Sequence, residues 1–195
     1  ATGLAYGMTG TGQTTLPDIK QTASLIKGID NIPLNGQNNM LQYKAGGHIM
    51  GFQPTKVYMA SLDHALSVEF LGTKGVMPTS TETIPATDTK ASTLTKEPTL
   101  TKASTLTKVL YANLWEGINL TYESTKDGIT ESTYHIAPNA DVSKIKLRYN
   151  VPVTTQKDGS LKFTFERGYL TESKPIAWQE IDGKRTPVTV AFNIK

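Results

Sequence analysis

From Met40 to the C-terminus, large apolar residues recur at every second position in short runs, and this spacing constrains the fold more than any other feature of the chain. A period of two lines one face of a pleated strand, whereas a helix would need a period near 3.6. Leu41/Tyr43, Val57/Met59, Leu66/Val68/Phe70 and Leu110/Ala112 each mark one such face. Ile118/Leu120/Tyr122, Tyr134/Ile136, Ile145/Leu147/Tyr149, Leu161/Phe163/Phe165, Ile176/Trp178 and Val188/Val190/Phe192 continue the pattern. Asp127-Gly128, Asp158-Gly159 and Asp182-Gly183 fall between runs, where a hairpin turn needs residues that tolerate positive φ. About ten to twelve short strands joined this way predict an all-β fold, an antiparallel β-sandwich-like domain.

The β domain is expected over residues 31–195, behind an N-terminal extension of residues 1–30. Within the extension, Asp18 to Gly28 spaces Ile19, Ala23, Leu25 and Ile26 in a way compatible with a short helix. A Thr/Lys-rich insertion at 73–108 interrupts the strand pattern, and one octapeptide occurs in it twice, at 89–96 and 101–108. One duplication is too little for a solenoid. The spacing of Leu94, Leu100 and Leu106 favours a protruding hairpin around Glu97-Pro98 over a Thr/Ser-rich loop, with both readings open.

Composition removes several function classes. The chain has no cysteine, which excludes a disulfide framework, a thiolate metal site and a cysteine nucleophile. A net charge of +3 is spread thinly, and Lys90, Lys96, Lys102 and Lys108 lack the arginines and aromatics that nucleic-acid surfaces interleave. No run approaches the ~20 apolar residues of a membrane span. Neither a nucleic-acid partner nor a membrane span is expected. Twenty-nine threonines favour extended backbone. The start at Ala1-Thr2-Gly3 resembles a mature, exported chain cut behind a small residue.

Catalytic constellations are hard to find. His48, His64 and His135 lie in separate strand-like segments with no metal-ligand spacing between them, and read as ordinary strand histidines. Ser24-Leu-Ile-Lys27 fits a loose Ser-x-x-Lys pattern without its usual companions and reads as helix surface. Asp127, Asp158 and Asp182 are lone carboxylates beside glycine, better suited to turns than to calcium, and Asn139-Ala140-Asp141 offers a single acid. Trp115 and Trp178 are expected to fill core rather than form a sugar-stacking platform. Asn119-Leu-Thr121 is an N-glycosylation sequon. No catalytic residue, cofactor or metal ligand is assigned, and no enzyme activity is expected.

One longer pattern is familiar. Tyr111 to Tyr122 (Tyr-Ala-Asn-Leu-Trp-Glu-Gly-Ile-Asn-Leu-Thr-Tyr) is followed by Glu131-Ser-Thr-Tyr-His-Ile-Ala-Pro, Asp158-Gly159, Gly168-Tyr-Leu, Pro175-Ile-Ala-Trp-Gln179 and Asp182-Gly183. With Asn35-Gly36-Gln37 and Tyr43-Lys-Ala-Gly-Gly47 upstream, this order resembles the N-terminal domain of SBBP-repeat proteins, extracellular proteins whose later repeats are thought to form β-propellers. The chain departs from the family's Pro-Gly-Ile-Asp with Glu116-Gly117-Ile118-Asn119, and the insertion matches poorly. The resemblance implies a secreted or cell-surface β domain, either a stand-alone module or one separated from its propeller, and no reaction.

Residues 2–9 add a functional hint. Leu4, Tyr6 and Met8 alternate with Gly3, Ala5, Gly7 and Thr9, which is the form of a donor strand that completes a neighbour's sheet. The expectation is a structural protein that self-assembles into a homo-oligomer or filament, with this segment pairing in a neighbouring subunit rather than in its own domain. An adhesion or carbohydrate-binding module that recognises surface glycans is the alternative.

Overall fold

The computed structural model describes residues 2–10, 40–81 and 108–195, with 2–10 and 81 as backbone only. The expected helix at 18–28, Ser24, Lys27 and the repeated octapeptide lie outside the described residues, apart from Lys108. The strands in chain order are β1 (Thr2–Gly10), β2 (Leu41–Ala45), β3 (His48–Phe52), β4 (Lys56–Ala60), β5 (Ala65–Phe70), β6 (Thr79–Thr81), β7 (Lys108–Trp115) and β8 (Ile118–Ser124). They continue with β9 (Thr130–Ile136), β10 (Leu147–Tyr149), β11 (Val153–Thr155), β12 (Leu161–Thr164), β13 (Tyr169–Glu172), β14 (Ile176–Ile181) and β15 (Lys184–Val188). A single 3-10 turn, Val142–Lys144, is the only helical element among the described residues.

All the pairings are antiparallel, and they form two sheets, as the alternation predicts. The smaller runs β10-β5-β4-β3-β2. Four of its strands are a simple meander, opened by a two-residue turn at Gly46-Gly47, where φ is 52° and 75° and both residues need the left-handed region. The larger sheet runs β11-β12-β13-β1-β9-β8-β7-β6, with β14 also on β1 and β15 on β14.

The sheets share one core. Met50, Phe52, Val57, Met59, Leu66 and Phe70 of the smaller sheet pack with Tyr111, Trp115, Ile118, Leu120, Tyr134 and Phe163 of the larger. Phe70 meets Tyr111 and Trp115 edge-on, at 5.2 and 5.8 Å between ring centroids. The polar ends of these aromatics are satisfied across the sandwich: Tyr111 donates its hydroxyl to the Gln53 carbonyl and Trp115 its Nε1–H to the Leu71 carbonyl, each at 2.8 Å.

Three faces differ from the sequence expectation, one of them Val188/Val190/Phe192, where the last strand ends at Val188 and Val190 is exposed. In β7 the buried residues ahead of the bulge are Val109 and Tyr111, not Leu110 and Ala112. The strand then bulges: Asn113 has a φ of 53°, and the register with β8 slips between Tyr111 and Trp115. In β14 the buried residue is Ala177, while Ile176 is exposed. A small residue carried the inward position, so an alternation judged by size pointed to the wrong face.

All three Asp-Gly pairs sit in hairpin connections, with different geometry. Asp182-Gly183 is a two-residue turn with φ of 48° and 73°. Asp158-Gly159 lies in a longer loop closed by Gln156 N donating to the Ser160 carbonyl at 2.8 Å, with Gly159 at φ 87°. Asp127-Gly128 lies in the loop joining β8 to β9, and Gly128 has no positive φ. The described ends of the insertion lie in the β6–β7 pair, where Thr79, Ser80 and Thr81 face Leu110, Val109 and Lys108.

Candidate functional site

In the single chain, β1 takes a place in its own larger sheet, whereas the sequence reading sent it to a neighbour. Along one side it pairs with β9 over seven positions, Thr2 opposite Ile136 through Met8 opposite Thr130. Along the other side its first half pairs with β14, Leu4 opposite Ala177, and its last residues with β13, Met8 opposite Glu172 and Gly10 opposite Leu170. The physical reason is edge pairing: without β1, three strand edges would face a gap with their amide and carbonyl groups unpaired. No other described strand joins the β6–β9 block to β11–β13 or to β14–β15.

The register sets the positions of β1 alternately against buried and exposed residues of β9. Directly opposed residues of an antiparallel pair share a face. Leu4, Tyr6 and Met8 stand opposite Tyr134, Ser132 and Thr130, all buried, and Gly3 and Gly7 stand opposite His135 and Glu131, both exposed.

The slot's flanks carry an unusual amount of buried polarity. Glu172, the register partner of Met8, is 0% exposed. Its Oε2 accepts a long 3.4 Å hydrogen bond from Tyr149, and its Oε1 has no hydrogen-bond partner among the described residues. Burial pushes its carboxyl up to about 8, against a smaller downward pull from the Tyr149 hydrogen bond. At neutral pH the side chain is therefore mostly a neutral acid. Burial also raises Tyr122 and Tyr149, with Glu172 adding to both. Across β1 from Glu172, the Thr130 hydroxyl donates to the Glu123 carbonyl at 3.1 Å and lies 2.7 Å from the Tyr43 hydroxyl, which ties the two sheets together. Burial pushes Tyr43 up to about 12. Sequence inspection missed Glu172; its only trace is a carboxylate in register with apolar Leu170 on a short strand.

The histidines are not all separate. His48 and His64 meet Nε2 to Nε2 at 3.0 Å, while His135 stands apart on β9 beside Thr121 at 3.3 Å. Trp115 is core, as expected; Trp178 is half-buried with Arg185 lying 5.0 Å over its ring. Asp158 accepts from the backbone N and the hydroxyl of Ser160 at 3.0 and 2.6 Å, so it serves its own turn. Asn119 is exposed, and its Oδ1 accepts from Asn113 N at 2.6 Å, which holds the bulge. The described residues contain no group of three or more metal-type side chains and no helix long and apolar enough to cross a membrane.

Residues 23–195 match the family model described as Domain of unknown function (DUF7948). The chain belongs to this family. The DUF7948 match takes in both sheets except β1, which lies outside the matched span. No curated protein and no solved structure matches this DUF7948 chain.

Proposed function

We propose that the chain is a non-catalytic subunit of an extracellular assembly whose copies are joined by exchange of β1. One observation carries this reading: the strand that unites the larger sheet is separated from β2 by residues 11–40. A β1 supplied by a second copy makes the same backbone ladders with β9, β13 and β14, so exchange changes connectivity without changing the contacts. Open chains of such exchanges give filaments, and reciprocal pairs give dimers. The extracellular setting rests on the resemblance of the Tyr111–Tyr122 and Glu131–Pro138 motifs to SBBP-repeat proteins.

The absence of cysteine from the chain makes the test clean. Gly7 and Glu131 are register partners, close enough for a cross-strand disulfide. The Gly7→Cys and Glu131→Cys variants are prepared separately, mixed under assembly conditions and oxidised. A covalent heterodimer is the expected product. If the mixture stays uncrosslinked while the double variant closes efficiently within one chain, β1 serves only its own domain and the reading fails.

A further inference from the structure

We propose that His48 and His64 form a two-imidazole binding site for a borderline divalent transition-metal ion, Zn2+ or Cu2+. The two side chains come from different turns. His48 opens β3 directly after the Gly46-Gly47 turn, and His64 closes the connection between β4 and β5, where Ser61 N donates to the His64 carbonyl at 2.9 Å. Because β3 and β4 are neighbours, with Ile49 opposite Ala60, the two turns end beside each other and bring the rings together.

The hydrogen bonds fix the tautomers. The Gly46 carbonyl can only accept, so the His48 Nδ1 at 2.8 Å carries the proton and its Nε2 is a lone pair. The Nε2 of His64, 3.0 Å away, then carries the proton between the rings, and its Nδ1 accepts from the Ser61 hydroxyl at 3.4 Å. A remote nitrogen held on a backbone carbonyl is the arrangement that orients and polarises histidine ligands in metal sites. His48 is already in that state. His64 frees its Nε2 lone pair by moving its proton from Nε2 to Nδ1, where the Ser61 hydroxyl oxygen accepts the hydrogen bond, so the pair's proton count is unchanged on binding.

The spacing suits a shared ion. With metal–nitrogen bonds of about 2.0–2.1 Å, two ligand nitrogens stand about 2.9 Å apart at a right angle and about 3.3 Å apart at a tetrahedral angle. The observed 3.0 Å lies between these, and the rings are inclined at 46°. The His64 ring is stacked on Phe165 at 4.6 Å, which limits its freedom and links the site to the larger sheet. Burial lowers both imidazoles, His64 to about 4, so both are neutral and available to a cation at neutral pH. His64 is half-buried and exposed Asp63 is adjacent, so water can complete the coordination beside a favourable charge. With two protein ligands and water, the ion staples two turns rather than serving a closed structural cage.

The test uses the full chain freed of metal with a chelator, then titrated with Zn2+ and separately with Cu2+ at pH 7.5. Zn2+ is expected to raise Tm by several degrees and to shift the 15N resonances of both Nε2 atoms, with reversal by chelator. His64→Gln, checked for an unchanged circular dichroism spectrum, should lose the Tm response, and His135→Ala should retain it. If His64→Gln does not fold, the wild-type nitrogen resonances decide alone. Unmoved His48 and His64 resonances at millimolar metal, or an equal Tm response in folded His64→Gln, would overturn the proposal.

Discussion

The smaller sheet and the β1 seam of the larger sheet are held by similar antiparallel ladders, but they close over very different lengths of chain. In β2–β5 every strand pairs with its neighbour in sequence through a short turn. At the seam, the first strand meets β13 and β14, nearly the whole chain away. Local pairs form with little loop entropy, whereas the seam must close the largest loop the chain offers. The seam is therefore the natural place for late formation, opening and exchange, and the meander for early, persistent structure.

Deletion of residues 2–10 tests this difference most severely. It removes all three ladders of β1, with β9, β13 and β14, and leaves the β6–β9 block unconnected to β13 and β14. The truncated chain is expected to lose at least ~4 kcal/mol of stability, a large share of what a domain has. Hydrogen exchange should rise in β9, β13 and β14 while amides of β3 and β4 stay protected, and a Thr2–Gly10 peptide added in trans should restore the protection. Uniform loss of protection in both sheets would show that the molecule opens as a single unit and that the contrast is false.

The two regions also answer pH in opposite directions. Glu172 has its folded pKa raised, so its contribution is fully present below the unfolded value near 4.5 and is lost as pH rises through about 8. His48 and His64 are lowered, so their contribution is present above the unfolded value of 6.5 and is lost as pH falls, through about 4 for His64. Alkali should loosen the seam first and acid the Gly46–His64 end of the smaller sheet. Glu172→Gln keeps the shape without the ionisation, and at pH 9 should be more stable than wild type by ~3 kcal/mol, converging with it near pH 4. Urea midpoints at pH 4, 7 and 9 check this; parallel curves for the two proteins would mean that Glu172 does not ionise within the folded seam.

Tyr43→Phe probes one of the ties between the regions, the bond from Tyr149 of β10 to Glu172 being another. The Tyr43 hydroxyl lies 2.7 Å from Thr130 Oγ1, at the β9 position opposite Met8. Thr130 keeps its bond to the Glu123 carbonyl in the variant, so no donor is stranded. The expected loss is about 1 kcal/mol, an ordinary buried hydrogen bond. Faster exchange at Thr130 and Ser132, with little change in β4, would place that loss at the seam; equal change in both sheets would show that the tie stabilises the sandwich generally.

What the sequence disclosed follows the same division. The meander was legible because period-two alternation and turn glycines are local, and Leu66/Val68/Phe70 turned inward as read. The inward faces of β7 and β14 were not legible, because a bulge at Asn113 and a small residue, Ala177, break the equation of large with buried. Leu4, Tyr6 and Met8 could be recognised as strand, yet alternation names no partner, and the partner strands lie at the far end of the chain. The His48–His64 contact was equally hidden, since it depends on two turns meeting across β3 and β4.

The smallest effect expected is a test of how specific the Asp-Gly signal is. Three such pairs occur at hairpin connections, but the backbone requires glycine at only two of them. Gly183 has a φ of 73° and Gly159 a φ of 87°, a region that costs a side chain about 1 kcal/mol or more. A Cβ at Gly183 meets nothing within 4 Å, and one at Gly159 meets only Lys174 Cβ at an ordinary 3.5 Å. Alanine at either site therefore measures backbone strain without a clash. Gly128 has no positive φ, so alanine there escapes this penalty and should cost only a few tenths of a kcal/mol. Thermal unfolding of Gly183→Ala, Gly159→Ala and Gly128→Ala compares them directly. Equal losses at all three would mean that the loop between β8 and β9 holds its glycine for some reason other than φ. The predicted order, with Gly128→Ala the mildest, would show that Asp-Gly marks where the chain turns, while the φ angle decides what the turn needs.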